Sequence, residues 1–282
     1  MEKYSALVKK ICSLGEKSPL IDAVVVIGSY ARTTVPADEF SDLDLLLFVK
    51  NTDAFVNHDD WLHTIENYYI SFVENTIGGL KERRILFENC LDVDFIIVPS
   101  DYSFSDEFGG IFSRGYHVLL DKEDICRAIR KIKIPPKTVC PVSEEDFINR
   151  ANDFWYHAVW TGKKIKRGEL WTAISCMDSY MRNILLLFIE WYTQLCNGME
   201  YDTWHNGRML EAWVDPRIAQ KIPSIFSEYD KGKMIKALFS MMELFRFVSI
   251  SIAKNLSYEY PQKADDYATA WLNAEFSGKP AD

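Results

Sequence analysis

The apolar positions follow two different rhythms along the chain. Near the start, Tyr4, Leu7, Val8, Ile11 and Cys12 recur at helical spacing and predict an amphipathic first helix. Ala23-Val24-Val25-Val26-Ile27 is then a continuous, mostly β-branched run that stops at Gly28-Ser29, the mark of a buried strand and a turn. Residues 42–49, Asp-Leu-Asp-Leu-Leu-Leu-Phe-Val, predict a second strand. Thr52 or Asp53 then starts a predicted helix carrying Phe55, Trp61, Ile65, Tyr69 and Phe72. Residues 92–98 predict a third strand, stopped by Pro99, and residues 118–120 a shorter one followed by a helix from Asp121.

The rhythm changes at Ile134-Pro135-Pro136-Lys137 and Cys140-Pro141, a proline-marked stretch read as a linker. Beyond it Ser143, followed by Glu144-Glu145-Asp146, has the form of a helix start with acids in the first turn. Helical periodicity continues to about residue 275 without a clear strand. Phe154, His157, Ala158 and Thr161 share one face; Met181, Leu185, Phe188, Ile189 and Tyr192 share another; Met234, Leu238, Met241, Met242, Phe245 and Val248 repeat the pattern. The reading is an α+β protein: residues 1–135 form a mixed sheet with flanking helices, and residues 136–282 an all-α helical bundle. No apolar run approaches the length of about 20 residues that a membrane span needs, so no membrane partner is expected.

Composition narrows the function. Apolar residues make up 48% of the 282, enough for a core and against disorder. The 41 acids against 32 bases give a net charge of −9, which disfavours a nucleic-acid-coating protein and leaves room for a cationic partner. The six cysteines form no Cys-x-x-Cys pair, and residues 1–20 have no export-signal pattern. Reduced, mostly buried thiols in a cytoplasmic protein are the expectation.

Three features of the first half point to chemistry. Gly28-Ser29 at a strand end lets the chain turn sharply; if a helix begins there, its free amides and the Ser29 hydroxyl make an anion site. Asp42 and Asp44 open an apolar strand on one face, and two like charges so placed call for a cation between them. Asp94, with Asp92 two residues before it, opens another apolar strand. If the two strands pair, Asp94 joins Asp42 and Asp44, and three carboxylates can hold one or two Mg²⁺ ions for phosphoryl or nucleotidyl displacement.

This constellation resembles the nucleotidyltransferase superfamily and, within it, the aminoglycoside 6-adenylyltransferases (streptomycin adenylyltransferases). The similarity extends to Pro36, Asp38 and Phe40, to residues 118–122, to Phe154-Trp155, Lys163, Arg167, Glu169 and Arg182, and to Leu244-Phe245-Arg246 and Tyr260-Pro261, so it covers nearly the whole chain. The resemblance implies a nucleotidyltransferase-type sheet and Mg²⁺-dependent transfer of AMP from ATP to a hydroxyl of an aminoglycoside, with pyrophosphate leaving. It implies that Asp42 and Asp44 hold the metal, that Asp94 is a third ligand, a base or both, and that Gly28, Ser29, Lys163 and Arg208 contact the triphosphate. A small polycationic acceptor and a nucleotide are the implied partners, and no nucleic acid. Two departures, Tyr30 in place of an Arg and Asp178 in place of an amide, leave the acceptor open. Arg32 is a candidate for the missing cation, and Asp178, Glu190 and Glu88 are candidates for an acidic wall. A lincosamide-type acceptor, a macromolecular acceptor and an inactive nucleotide-binding relative remain as rival readings. The seven Trp of the second half and the five His read as packing residues, without zinc-ligand spacing.

Overall fold

A computed structural model of the chain describes residues 2–32, 34–105, 108–132 and 141–276. The proline-marked stretch at 134–140 lies outside the described residues. The chain divides into two compact units, Met1–Pro136 and Lys137–Asp282.

The first unit is built on one six-stranded mixed sheet. Its strands are β1 (Ile21–Val26), β2 (Leu43–Val49), β3 (Tyr68–Asn75), β4 (Lys81–Phe87), β5 (Leu91–Pro99) and β6 (His117–Asp121), in the order β3-β4-β5-β2-β1-β6. β2 and β5 run parallel and the other neighbours antiparallel. Both faces of the central strands are buried, so these strands read as unbroken apolar runs. Leu43, Leu45, Leu47, Val93 and Phe95 face the amphipathic helix α1 (Ser5–Lys17), which contributes Leu7 and Ile11. Leu46, Phe48, Ile96 and Val98 face the opposite way, toward Phe108 and Phe112 of the segment that includes α4 (Gly109–Phe112). Alternation puts Asp44 and Asp94 on this second face, at its N-terminal edge.

Three stretches depart from the sequence reading. The helix expected from residue 53 is only two single turns, α2 (Asp53–Val56) and α3 (Asp60–His63), and Tyr69 and Phe72 belong to the edge strand β3. Its apolar residues fit a helical spacing as well as a strand, and pairing with β4 decides between them. β4 itself begins Lys81-Glu82-Arg83-Arg84, a charge run that hides a strand from pattern reading. Arg83 is nonetheless buried. It donates from Nε to the Phe55 carbonyl at 3.0 Å and from Nη1 to Ser71 Oγ at 2.9 Å, and also bonds the Val56 carbonyl. The helix expected from Asp121 shrinks to α5 (Arg127–Arg130), because Asp121 ends β6 and spends its carboxylate on the Ile125 and Cys126 amides at 2.9 and 3.2 Å.

Among its described residues the second unit has helices and loops and no strand. It contains α6 (Glu144–Lys166), α7 (Leu170–Ser175), a π-helical stretch Cys176–Met181, α8 (Arg182–Asn197), the short α9 (Leu210–Trp213) and α10 (Pro216–Ala219), α11 (Lys231–Leu256) and α12 (Gln262–Phe276). Ser143 caps α6 by accepting from the Asp146 amide at 3.1 Å, and Asp230 caps α11 through the Lys233 amide at 2.8 Å. The predicted faces are buried: Phe154 stacks on Phe245 at 3.7 Å between ring centroids, and Met181, Leu185, Phe188 and Ile189 pack in the same core. His157 is half-exposed instead, bonded to Asp153. No described helix is long and apolar enough to cross a membrane. Five cysteines, 12, 90, 126, 176 and 196, are free thiols, of which only Cys126 and Cys176 are buried.

Several residues that carry the family resemblance meet in this core. Arg246 forks onto Asp265, Nε to Oδ2 at 2.6 Å and Nη2 to Oδ1 at 2.5 Å, while Tyr260 and Thr269 donate to the same carboxylate at 2.7 and 2.9 Å. Trp155 lies against the Arg246 guanidinium, 5.3 Å from its ring centre. Asp265 is only 1% exposed, so its removal strands a partly buried guanidinium. Asp265→Ala should therefore cost about 3–5 kcal/mol of stability, read as a shift of the urea unfolding midpoint.

Candidate functional site

The site begins with register. β2 and β5 pair so that Leu43 faces Val93 and Asp44 faces Asp94 directly. Asp42 precedes β2 by one residue and falls on the same side as Asp44. One carboxylate oxygen from each of Asp42, Asp44 and Asp94 lies within 4.8 Å of the others. The structure thus brings together the three predicted acids.

Neighbouring groups fix their positions. Asp38 holds the approach to Asp42: its Oδ1 accepts from the Phe40 amide and the Ser41 hydroxyl, both at 2.9 Å. The Ser29 hydroxyl donates to the Asp42 carbonyl at 3.1 Å, and the Ile27 amide to the Asp44 carbonyl at 3.0 Å. Gly28 is left-handed, with φ +65°, and its carbonyl accepts from the Ala31 and Arg32 amides, each at 3.1 Å. A side chain at Gly28 would collide with Asp44: an ideal Cβ there lies 1.9 Å from Asp44 Oδ2. Only one helical turn, Gly28–Tyr30, follows β1. The condition set for an anion site, a helix beginning at Gly28-Ser29, is met only by this single turn, and the Ser29 hydroxyl is turned to the Asp42 backbone.

The deepest acid is Asp94, 3% exposed. Burial pushes its carboxyl up, Arg84 opposes, and Glu82 and Asp44 push the same way, leaving it at about 8. Arg84 Nε stands 3.5 Å from Asp94 Oδ2, and also 3.2 Å from Glu82 and 2.7 Å from Glu74. Asp94 Oδ1 has no hydrogen-bond partner among the described residues. An unpartnered buried oxygen beside two further carboxylates is the environment a hard divalent cation completes, and Mg²⁺ takes such oxygen donors while keeping waters or phosphates. The residues present fit that ion.

Three contributors escaped the sequence reading. Glu82 and Arg84 sit in the hidden strand β4. Tyr4, counted as one apolar position of α1, is fully buried, yet its hydroxyl joins the starts of both acid-bearing strands. It lies 2.9 Å from the Asp92 carbonyl and 3.1 Å from the Ser41 carbonyl, and accepts from the Asp92 amide at 3.2 Å. Asp92 stands at the mouth of β5, raised by burial and by Asp42. Tyr4→Phe leaves the Asp92 amide unpaired and should cost about 1–3 kcal/mol of stability. It should also weaken divalent-cation binding about tenfold or more, as loss of a group that orients a ligand does; a Mg²⁺ titration by calorimetry checks this.

Of the remaining predicted residues, Lys163, Arg208 and Asp178 belong to the helical unit, and Arg32 and Glu88 to the sheet unit. Lys163 is exposed on α6, with Nζ 5.7 Å from the Trp271 ring centre. Arg208 is exposed on a loop of the helical unit, its carbonyl accepting from Trp213 Nε1 at 2.9 Å. Arg32 Nε donates to the Val35 carbonyl at 2.6 Å. Asp178 pairs with Arg182, and Glu88 is exposed in the turn between β4 and β5.

The model of the family described as streptomycin adenylyltransferase matches residues 1–274. An aminoglycoside 6-adenylyltransferase of Bacillus subtilis is 24% identical over 256 residues, covering 86% of this chain and 87% of that protein. Another, of Campylobacter jejuni, is 26% identical over 256 residues, covering 86% and 85%. The crystal structure of an aminoglycoside 6-adenyltransferase from Bacillus subtilis aligns over 98% of both chains at 20% identity, with a TM-score of 0.47.

Proposed function

Because the chain belongs to the streptomycin adenylyltransferase family and is a nucleotidyltransferase, we propose that it moves AMP from ATP to a hydroxyl of an aminoglycoside of the streptomycin type, with Mg²⁺ and with release of pyrophosphate. The observation that carries this reading is the convergence of Asp42, Asp44 and Asp94 beside the Gly28 turn. The names of the related proteins support the acceptor class.

In this reading Asp42, Asp44 and the unpartnered oxygen of Asp94 hold the metal. A bound Mg²⁺ supplies charge neutralisation for the triphosphate and the departing pyrophosphate. The acceptor oxygen forms a bond to the α-phosphorus, the bond to the pyrophosphate oxygen breaks, and the hydroxyl proton leaves to a carboxylate or to water. Arg84 keeps Asp94 from being isolated among acids. The left-handed Gly28 lets the chain pass close to Asp44, where no side chain would fit. Backbone groups of Gly28 and Ser29, together with the exposed cations Lys163 and Arg208, are assigned to the triphosphate. The activity belongs in the cytoplasm, where ATP is supplied.

The test is a pyrophosphate-release screen of ATP, GTP, CTP and UTP against streptomycin, other aminoglycosides and lincosamides, with the product weighed by mass spectrometry. The expected result is Mg²⁺-dependent release with ATP and streptomycin and a product heavier by one AMP. Release with a lincosamide alone, or no metal-dependent release with any pair, overturns the reading.

A further inference from the structure

We infer that a hollow in the helical unit, walled by Glu190, Tyr180, Trp204, Asn206 and Arg150, recognises a cationic group of the acceptor, with Glu190 as its counter-charge. This rests on the aminoglycoside reading above and adds to it a site and a residue.

Glu190 is the anomaly that points to the hollow. It sits in the body of α8, half-buried, with no hydrogen bond or ion pair among the described residues. Four other acids of this unit are spoken for: Asp265 by Arg246, Asp215 by Arg217, Glu169 by Lys164, and Asp153 by His157 and Tyr180. Burial alone pushes the Glu190 carboxyl up to about 7, so no neighbouring cation offsets it. An unpaired carboxylate in such a place weakens the ligand-free fold, and a cation brought by a ligand would offset that cost.

The surroundings suit a sugar-like cation. The hollow has a volume of about 520 Å³, within the usual range for small-molecule sites. Tyr180 projects from the π-helical stretch Cys176–Met181, and its hydroxyl is fixed by Asp153 at 3.0 Å, which leaves its ring as a wall. π-helical insertions of this kind recur at functional sites. Trp204 and Asn206, which also line the hollow, have positive backbone φ, +57° and +53°. For a bulky residue such as Trp this is strained, and strain of that sort concentrates at binding loops. Aromatic rings attract cations by their faces. Arg150, on α6, gives the hollow a second pole. A ligand would turn its cation to Glu190 and its neutral hydroxyls to Arg150.

The experiment uses the full chain and streptomycin, whose guanidinium groups stay charged across the working pH range. Calorimetry should give a dissociation constant at least about tenfold weaker for Glu190→Gln than for the wild type, with ATP affinity changed less than twofold. The melting temperature of the ligand-free variant should be equal or higher, because the substitution removes a desolvated charge; a purely structural Glu190 would lower it. If streptomycin is adenylylated but binds the variant as tightly as the wild type, the assignment of Glu190 falls and the proposed activity stands. If wild-type protein neither binds nor modifies any aminoglycoside, both fall.

Discussion

Replacing Asp44 by Asn should reduce pyrophosphate release at least about a thousandfold while the chain stays folded. Metal-held charge stabilisation is worth several kcal/mol, and each ~1.4 kcal/mol is a factor of ten. Asn keeps the shape of Asp and the register of β2 against β5, so the backbone bond from the Ile27 amide to residue 44 survives. What is lost is one of three metal-facing carboxyl groups whose oxygens lie within 4.8 Å of each other. The melting temperature without metal should therefore hold or rise, since like charges repel when nothing sits between them. Mg²⁺ binding by calorimetry should weaken in parallel with turnover. A variant that turns over near the wild-type rate removes Asp44 from the metal site, whatever the fold does.

How much of this was legible in the sequence depended on whether local pattern and tertiary context agreed. β2 and β5 are buried on both faces, so their apolar runs named them as strands and made Asp44 and Asp94 conspicuous within them. The helical unit was legible for the related reason that its stripes at three- and four-residue spacing are the core itself. The strands β3 and β4 were not legible. Tyr68–Asn75 is an edge strand whose apolar side chains are largely exposed, so burial does not enforce a period of two. In β4 the run Lys81–Arg84 looks like a solvated surface, and only tertiary partners reveal why Arg83 can be buried and Arg84 can serve Asp94. Tyr4 fitted an apolar stripe so well that its hydroxyl drew no attention, although the bonds it makes span 37 and 88 residues of sequence. Long-range partners of that kind leave no trace in a local window. Glu190 illustrates the converse: it was named among three acids on charge alone, and only the absence of a partner singled it out from Asp178, which Arg182 neutralises.

Gly28→Ala should be nearly as damaging as loss of the carboxylate, for a steric reason. With φ at +65°, any L side chain adds strain of about 1–3 kcal/mol. The larger effect is local: an ideal Cβ would stand 1.9 Å from Asp44 Oδ2, 2.8 Å from its Cγ and 3.2 Å from its Cβ. The whole carboxylate must move, by more than about 1 Å, and a displacement of that size can cost about a hundredfold in rate. Gly79→Ala is the control. Gly79 is also left-handed, at φ +72°, but nothing lies within 4 Å of where its Cβ would be. Both variants should lose stability in urea unfolding, Gly28→Ala by the larger amount because it adds a collision to the shared backbone strain. Only Gly28→Ala should lose pyrophosphate release and Mg²⁺ affinity, because only there does the added methyl group compete with Asp44 for space. Equal activity in the two variants would mean that Gly28 serves the turn alone.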